Sequence, residues 1–451
     1  MRTTKRLAAL SAAGTIALVG LSACGSSHSN GSGGSGGSSS GTTPAASGSI
    51  KGQTINVAIA YPEPKAMIAK FTAQTGVKVN WNYLQWDDLQ TKIASAAEAN
   101  SYFADVADVD WSKVGEYYKT KWFKPLNSYF GVSTVKAQYP QATSFIRDNT
   151  LMGMPMDGSM LVTSVNSKDF KAAGISSTPT TLTQYESDLK TIASKHVVAN
   201  PLDIPFAAAE GLSTYWYELT GAFGGSVLSA SYKPEFTSPS SPGYKALAWM
   251  VSAYKSGLVP KANLGMEDSQ AFETDQAHNL TASVFSDYSG DVGTIYDVAS
   301  QSKVVGQVKY IATPGASGPG PNLGNPDGIG IPAQAKHIAA AVAFIKWMGE
   351  PANQAAFAGA DGSKDVITGF PLPANRGGLS KLVASHKVAG AATLANLLDN
   401  HAKPIFPAGA PPWYAQFSNA VYTNIHSAAS GSESVSAAVS AIANTVNGLD
   451  G

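Results

Sequence analysis

The 451-residue chain holds one cysteine, Cys24. No disulfide can form within it, and thiolate metal clusters and CxxC redox motifs are excluded. Arginine is nearly as scarce, with only Arg2, Arg6, Arg147 and Arg376. Sites for phosphate, sulfate or carboxylate groups commonly use a bidentate guanidinium, which this chain can hardly supply, although backbone amides or lysines can substitute. Charge is sparse at 14% of residues, and Lys plus Arg equal Asp plus Glu at 31 each. There is none of the clustered positive charge that nucleic-acid binding requires. His28, His196, His278, His337, His386, His401 and His426 are scattered, with no close pair at metal-ligand spacing. GxSxG, HExxH and P-loop motifs are missing, as is a GxGxxG after the first strand. No enzyme, metal or cofactor is therefore expected.

The start of the chain reads as an export signal. Arg2, Lys5 and Arg6 precede an apolar run from Leu7 to Val19, which is short for a bilayer span. It ends in Leu21-Ser22-Ala23-Cys24, which resembles the bacterial lipobox: cleavage falls before the cysteine, whose thiol then carries diacylglycerol. The reading is a signal peptide over 1–23, then a lipidated cysteine and flexible spacer over 24–50. An ordinary signal peptide with an incidental cysteine is the alternative. Losing the leader leaves 28 basic against 31 acidic residues, a formal charge of −3. Gly25 to Ser49 is nearly all Gly and Ser. Such a tether buries no apolar area and reaches roughly 25–30 Å as a random coil. The expected location is the extracellular face of the cytoplasmic membrane.

Beyond residue 50, strands and helices alternate. Ile55, Val57 and Ile59 mark a first strand. Met67, Ile68 and Phe71 share a helix face, and Gly76 is placed to end that helix. Val77, Val79, Trp81 and Tyr83 alternate with polar residues in a second strand, read as core-facing. Asp87 or Asp88 is expected to cap the next helix, and Val106–Val109 forms a third strand. This rhythm predicts a largely parallel sheet covered by helices. Further on, Thr181 and Gln184 stand at capping-box spacing, Ser241-Pro242 opens a helix, and Ala282–Phe285 is a strand. Ala312–Pro326 reads as a loop, Gly328–Pro332 as extended, Ile338–Met348 as an apolar helix, and the last 40 residues as one or two helices. Trp249 and Trp347 fall on amphipathic helices and are assigned to packing.

Several segments together resemble the bacterial extracellular solute-binding proteins of family 1, the group that includes maltose-binding proteins. They are Phe71-Thr72-Ala73-Gln74-Thr75-Gly76, Asp105-Val106-Ala107-Asp108-Val109-Asp110-Trp111, Gly153-Met154-Pro155, Ala222-Phe223-Gly224-Gly225, and Ala339 to Met348 followed by Glu350-Pro351-Ala352-Asn353-Gln354. The resemblance implies an α/β, two-lobed periplasmic-binding-protein fold of type II, with the ligand cleft between lobes. The N-terminal lobe would comprise 51–161 and 324–378, and the C-terminal lobe 162–323 and 379–451. It also implies hinge closure and delivery of the ligand to an ABC permease in the membrane, with the protein acting as a monomer.

Sugars present flat C–H faces and rings of hydroxyls, so their sites need aromatic platforms and oxygen acceptors. Candidates stand where strands end: Tyr61 and Glu63, Asp110 and Trp111, Asp157, then Glu210, Tyr215 and Trp216. Asp287 and Tyr288, Asn325 and Asp327, and Trp413 and Tyr414 complete the set. The expected ligand is a neutral carbohydrate. The alternatives are a polyamine held by acids and aromatics, a lipid-anchored glycoside hydrolase, and a surface adhesin or sensor subunit. Acidic pairs such as Glu267/Asp268 are read as helix caps or loops.

Overall fold

The computed structural model describes residues 49–361 and 372–449; the leader, Cys24 and nearly all of the spacer lie outside the described residues. Strands β1 (Thr54–Ile59), β2 (Lys78–Tyr83) and β3 (Val106–Asp110) open the fold. A small hairpin, β4 (Ile146–Arg147) and β5 (Thr150–Leu151), precedes β6 (Met154–Pro155). Then come β7 (Leu161–Asn166), β8 (Leu202–Asp203), β9 (Ser283–Tyr288) and β10 (Val308–Ile311). The chain finishes its strands with β11 (Asn322–Gly324), β12 (Asp327–Gly330) and β13 (Ala402–Pro404).

Two main sheets result. The first has the order β2-β1-β3-β12-β6. β1 runs parallel to both β2 and β3, as alternation with helices dictates, and β12 returns antiparallel between β3 and β6. Glycine is required on that returning strand: a Cβ at Gly328 would lie 2.6 Å from the Phe145 ring, and one at Gly330 2.7 Å from Val109. The second sheet has the order β10-β7-β9-β8 and is mainly antiparallel, with only β8–β9 parallel. Hydrophobic rhythm signals strands and helices but not the direction in which a strand re-enters, so the largely parallel expectation holds for part of the first sheet only.

Each sheet has its own core. Phe71, Phe344 and Trp347 pack ring on ring behind the first sheet, and Trp216, Phe236 and Phe285 lie buried in the second. Trp249 packs against Phe285, as the helix pattern predicts. Tyr83 does not face the core: it is 45% exposed, because β2 is an edge strand whose outer residues have no covering layer.

Local signals fare unevenly. Gly76 takes φ +72° and ends helix Lys65–Thr75 as predicted. The next helix begins at Trp86 with Gln85 at its N-cap, so neither aspartate occupies the cap. Thr181 caps helix Leu182–Ser194 by accepting from Gln184 N at 3.2 Å, but Gln184 returns its bond to Thr180 rather than to Thr181. Within the expected Ala312–Pro326 loop, Asn322–Gly324 forms β11 against Ala402–Pro404. Helices Tyr414–Ser430 and Val435–Leu449 end the chain and pack together. Among the described residues, no helix is long and apolar enough to cross a membrane.

Candidate functional site

A cleft of about 580 Å³ opens where residues from both sheets meet. Its floor begins at the end of β3. Asp110 accepts a hydrogen bond from Ser112 N at 2.7 Å and so caps the short 3₁₀ turn Trp111–Lys113, which swings Trp111 into the cleft. Trp111 Nε1 donates to Asn325 Oδ1 at 2.6 Å, and its ring meets Tyr414 edge to face at 5.2 Å. Asp327 opens β12 directly opposite Asp110 in the sheet register. Beneath them, Tyr61 OH donates to Asp157 Oδ2 at 2.6 Å and lies 3.5 Å from Asp327 Oδ2, while Asp327 N donates to Asp157 Oδ1 at 3.1 Å.

Four aspartates thus gather at one end of the first sheet. Burial, then the neighbouring carboxylates, holds Asp108 and Asp327 well above the usual carboxylate range. Asp110 and Asp157 are raised as well, chiefly by burial.

The opposite wall starts from helix Glu210–Ala222. Glu210 accepts from Tyr414 OH and, at 2.7 Å, from Ser418 Oγ; burial pushes its carboxyl up. Gly211 leaves room for Asp268, whose Oδ2 would be 2.8 Å from a Cβ there. Tyr288, at the end of β9, donates to the same Asp268 oxygen at 2.7 Å. Glu267 and Tyr422 complete this side, and Trp86 stands with Lys113 Nζ 5.9 Å above its ring.

Of the residues picked from sequence, Asp110, Trp111, Glu210, Tyr288, Asn325, Asp327 and Tyr414 line the cleft. Tyr61 and Asp157 support its floor, and Glu63 is exposed outside the lining. Tyr215 and Trp216 lie in the second core instead, where Trp216 Nε1 donates to Gly243 O at 2.8 Å. Asp287 is fully buried and accepts from Ser164 Oγ, because successive residues of β9 point to opposite faces and only Tyr288 reaches the cleft. Trp413 packs on Tyr232 and Phe417. Cys24 lies outside the described residues.

Sequence reasoning passed over Trp86, Ser112, Lys113, Glu267, Asp268 and Tyr422. One signal was available: Tyr422 lies two turns beyond Tyr414 on one helix, hence on nearly the same face. Glu267 does cap helix Asp268–Ala271, yet the same acidic pair also lines the cleft.

Aromatic rings and oxygen acceptors from two sheets suit the capture of a small polar molecule. No histidine lines the cleft, and among the described residues no three His, Cys, Asp or Glu side chains are disposed to hold a metal ion. Comparison with solved structures gives the same architecture. An ABC transporter solute-binding protein from Agrobacterium radiobacter K84, in complex with ribitol, superposes with TM-score 0.73 at 19% identity, covering 89% of this chain and 99% of that one. Maltose-bound MalE3 of T. maritima gives 0.71 at 17%, covering 88% and 99%. The cyclic alpha-maltosyl-1,6-maltose binding protein of Arthrobacter globiformis gives 0.68 at 21%, covering 88% and 98%. A comparison with curated protein sequences gave no match. The family model described as bacterial extracellular solute-binding protein matches residues 57–355. With that match spanning well over half of a chain whose two sheets flank a ligand-sized cleft, the protein belongs to the bacterial extracellular solute-binding protein family.

Proposed function

We propose that this chain is the lipid-anchored capture subunit of an ABC importer, and that it binds a saccharide or sugar alcohol by closing two lobes around it. The observation that carries this reading is the cleft itself: Trp111, Tyr288 and Tyr414 stand beside Asn325, Glu210 and Asp327, contributed from both walls. The ribitol and maltose bound by structural neighbours agree with it. The lobes are taken as 51–161 with 324–378, and 162–323 with 379–451; the two main hydrophobic cores support that division apart from Trp111, Met160, Leu161, Ala358 and Leu372, which pack in the second core. Ligand closure would then present the permease with a shape the empty protein rarely adopts. Scarce arginine argues against anionic ligands, which leaves a neutral saccharide or an aminated one.

A thermal-shift panel of saccharides, sugar alcohols, polyamines and organic acids on the full-length protein tests the reading. A ligand at about 100 times its Kd adds about 2.7 kcal/mol of stability. A saccharide hit with the sugar recovered intact supports capture and delivery. Cleavage of the sugar, or a tight organic acid with no saccharide hit, overturns it. For the anchor, Cys24→Ser is expected to move the protein from the membrane fraction into the medium. Retention of the variant at the membrane removes the lipid from the proposal.

A further inference from the structure

The lining of the cleft is lopsided in charge. Asp110, Glu210, Glu267, Asp268 and Asp327 face one basic side chain, Lys113. Lys113 is itself engaged, 3.9 Å from Glu116 and 5.9 Å over the Trp86 ring. The two arginines of the described residues are used elsewhere: Arg147 donates to Ala408 O at 2.9 Å and Arg376 to Ala137 O at 2.7 Å.

The five acids are not equivalent. Glu210 is occupied by Tyr414 and Ser418, and Asp268 by Tyr288. At the floor, Asp110 and Asp327 stand directly opposite each other in the register of β3 and β12, so their side chains share one face of the sheet, and burial raises both carboxyls. The carboxyls of Asp108 and Asp157, both raised by burial, lie behind them, and the Tyr61 hydroxyl lies 3.5 Å from Asp327 Oδ2. Glu210 and Lys113 also act on Asp110. Two such neighbouring carboxyls cannot both ionise cheaply, so without a cation beside them the pair favours holding a proton. A neutral hydroxyl entering here offers a hydrogen bond but no compensating charge. An ammonium offers both, and the adjacent Trp111 and Tyr414 rings attract cations through their faces.

We propose that the cleft selects an aminated saccharide, with its ammonium seated over Asp110 and Asp327 and its ring hydroxyls toward Asn325, Glu210 and the aromatic wall. This rests on the saccharide reading above and replaces the neutral ligand expected from sequence. Scarce arginine disfavours anions but does not separate neutral from cationic sugars. As the ammonium arrives, the proton shared by the pair leaves to solvent.

Calorimetry on the full-length protein tests this with glucosamine and deacetylated chitobiose against glucose and cellobiose, and with spermidine alongside. The aminated sugars should bind at least roughly tenfold tighter than their neutral counterparts. Their binding heats should vary with buffer ionisation enthalpy, reporting proton release. Asp110→Asn and Asp327→Asn should erase the preference while each variant still melts cooperatively without ligand. If those variants do not fold, the wild-type protein decides: raising salt should weaken the aminated sugars and leave the neutral ones nearly unchanged. Neutral sugars binding as tightly as aminated ones would overturn the inference and leave the saccharide reading standing. Spermidine binding alone overturns both, whereas no binding by any of these probes overturns the aminated-sugar inference and leaves the saccharide reading to the wider thermal-shift panel.

Discussion

Trp111 and Trp216 separate function from packing at the scale of one residue. Both were candidates for ligand contact and both are buried, at 6% and 0% exposed, yet only Trp111 lines the cleft. Trp216→Ala should cost about 3–5 kcal/mol of stability, the range for a large buried aromatic. Trp111→Ala should instead weaken saccharide binding by roughly ten- to a hundredfold, or about 1.4–2.7 kcal/mol, with a smaller loss of melting temperature. Equal affinity in Trp111→Ala and wild-type protein, measured by calorimetry, would remove Trp111 from the site. The sequence could locate both segments but not their faces. Tyr215 and Trp216 follow Glu210 by little more than a turn, and which side of that helix meets the cleft depends on how it docks against helix Pro242–Lys255.

Another residue-scale test concerns Glu218, buried behind the cleft on the same helix. It accepts from Thr313 Oγ1 at 2.6 Å and from Leu323 N at 2.8 Å, with no cation in reach among its partners. Burial pushes its carboxyl up to about 8. The folded state therefore holds a proton that the unfolded chain has released above its ordinary glutamate range. The stability this provides is complete below about pH 4.5 and is lost as pH rises through about 8. Glu218→Gln keeps one acceptor for Leu323 N and carries no charge. Its melting temperature should fall less than the wild type's between pH 6 and 9, and parallel melting curves across that range would refute the assignment.

At the scale of elements, helix Val114–Thr120 of the first sheet's body abuts the turn that feeds helix Tyr414–Ser430 of the second. A Cβ on Gly115 would sit 2.2 Å from Ala410 O and 2.9 Å from the Pro411 carbonyl carbon. These are backbone atoms with nowhere to rotate, so Gly115→Ala should prise the two bodies apart. The expected result is a roughly tenfold loss of ligand affinity with a nearly unchanged melting temperature for the empty protein. A large drop in melting temperature with affinity intact would show that the contact belongs to one rigid body. Elements of this kind were partly legible. Helix Ile338–Met348 follows its apolar run to the residue, since a continuous 3.6-residue stripe needs no outside information. Strand β11 was hidden in a Gly/Pro-rich stretch because its extended form depends on Ala402–Pro404, far along the chain. Acidic pairs misled for a related reason. Glu267 satisfies a local cap and a distant cleft at once, and sequence displays only the local task.

For the whole molecule, the decisive question is whether the two bodies move. The chain passes from the first sheet to the second between Pro155 and Leu161 and re-enters the first from β11 between Gly324 and Asp327, and these short passages hold Asp157, Asn325 and Asp327 beside the ligand cleft. If the two bodies close about these passages, hinge and site share residues. A ligand that ties Asp110 and Asp327 of the first sheet to Glu210 and Tyr288 of the opposite wall favours the closed form only by its contacts to both. A ligand held by one wall alone would bind without closing anything. Small-angle scattering on the full-length protein should thus show a fall in radius of gyration that tracks saturation by the bound saccharide. Gly115→Ala should start larger and need more ligand to reach the same endpoint. If saturating ligand leaves the radius unchanged in the wild type, the cleft is preformed and rigid. The permease would then have to distinguish loaded from empty protein by some feature other than its shape.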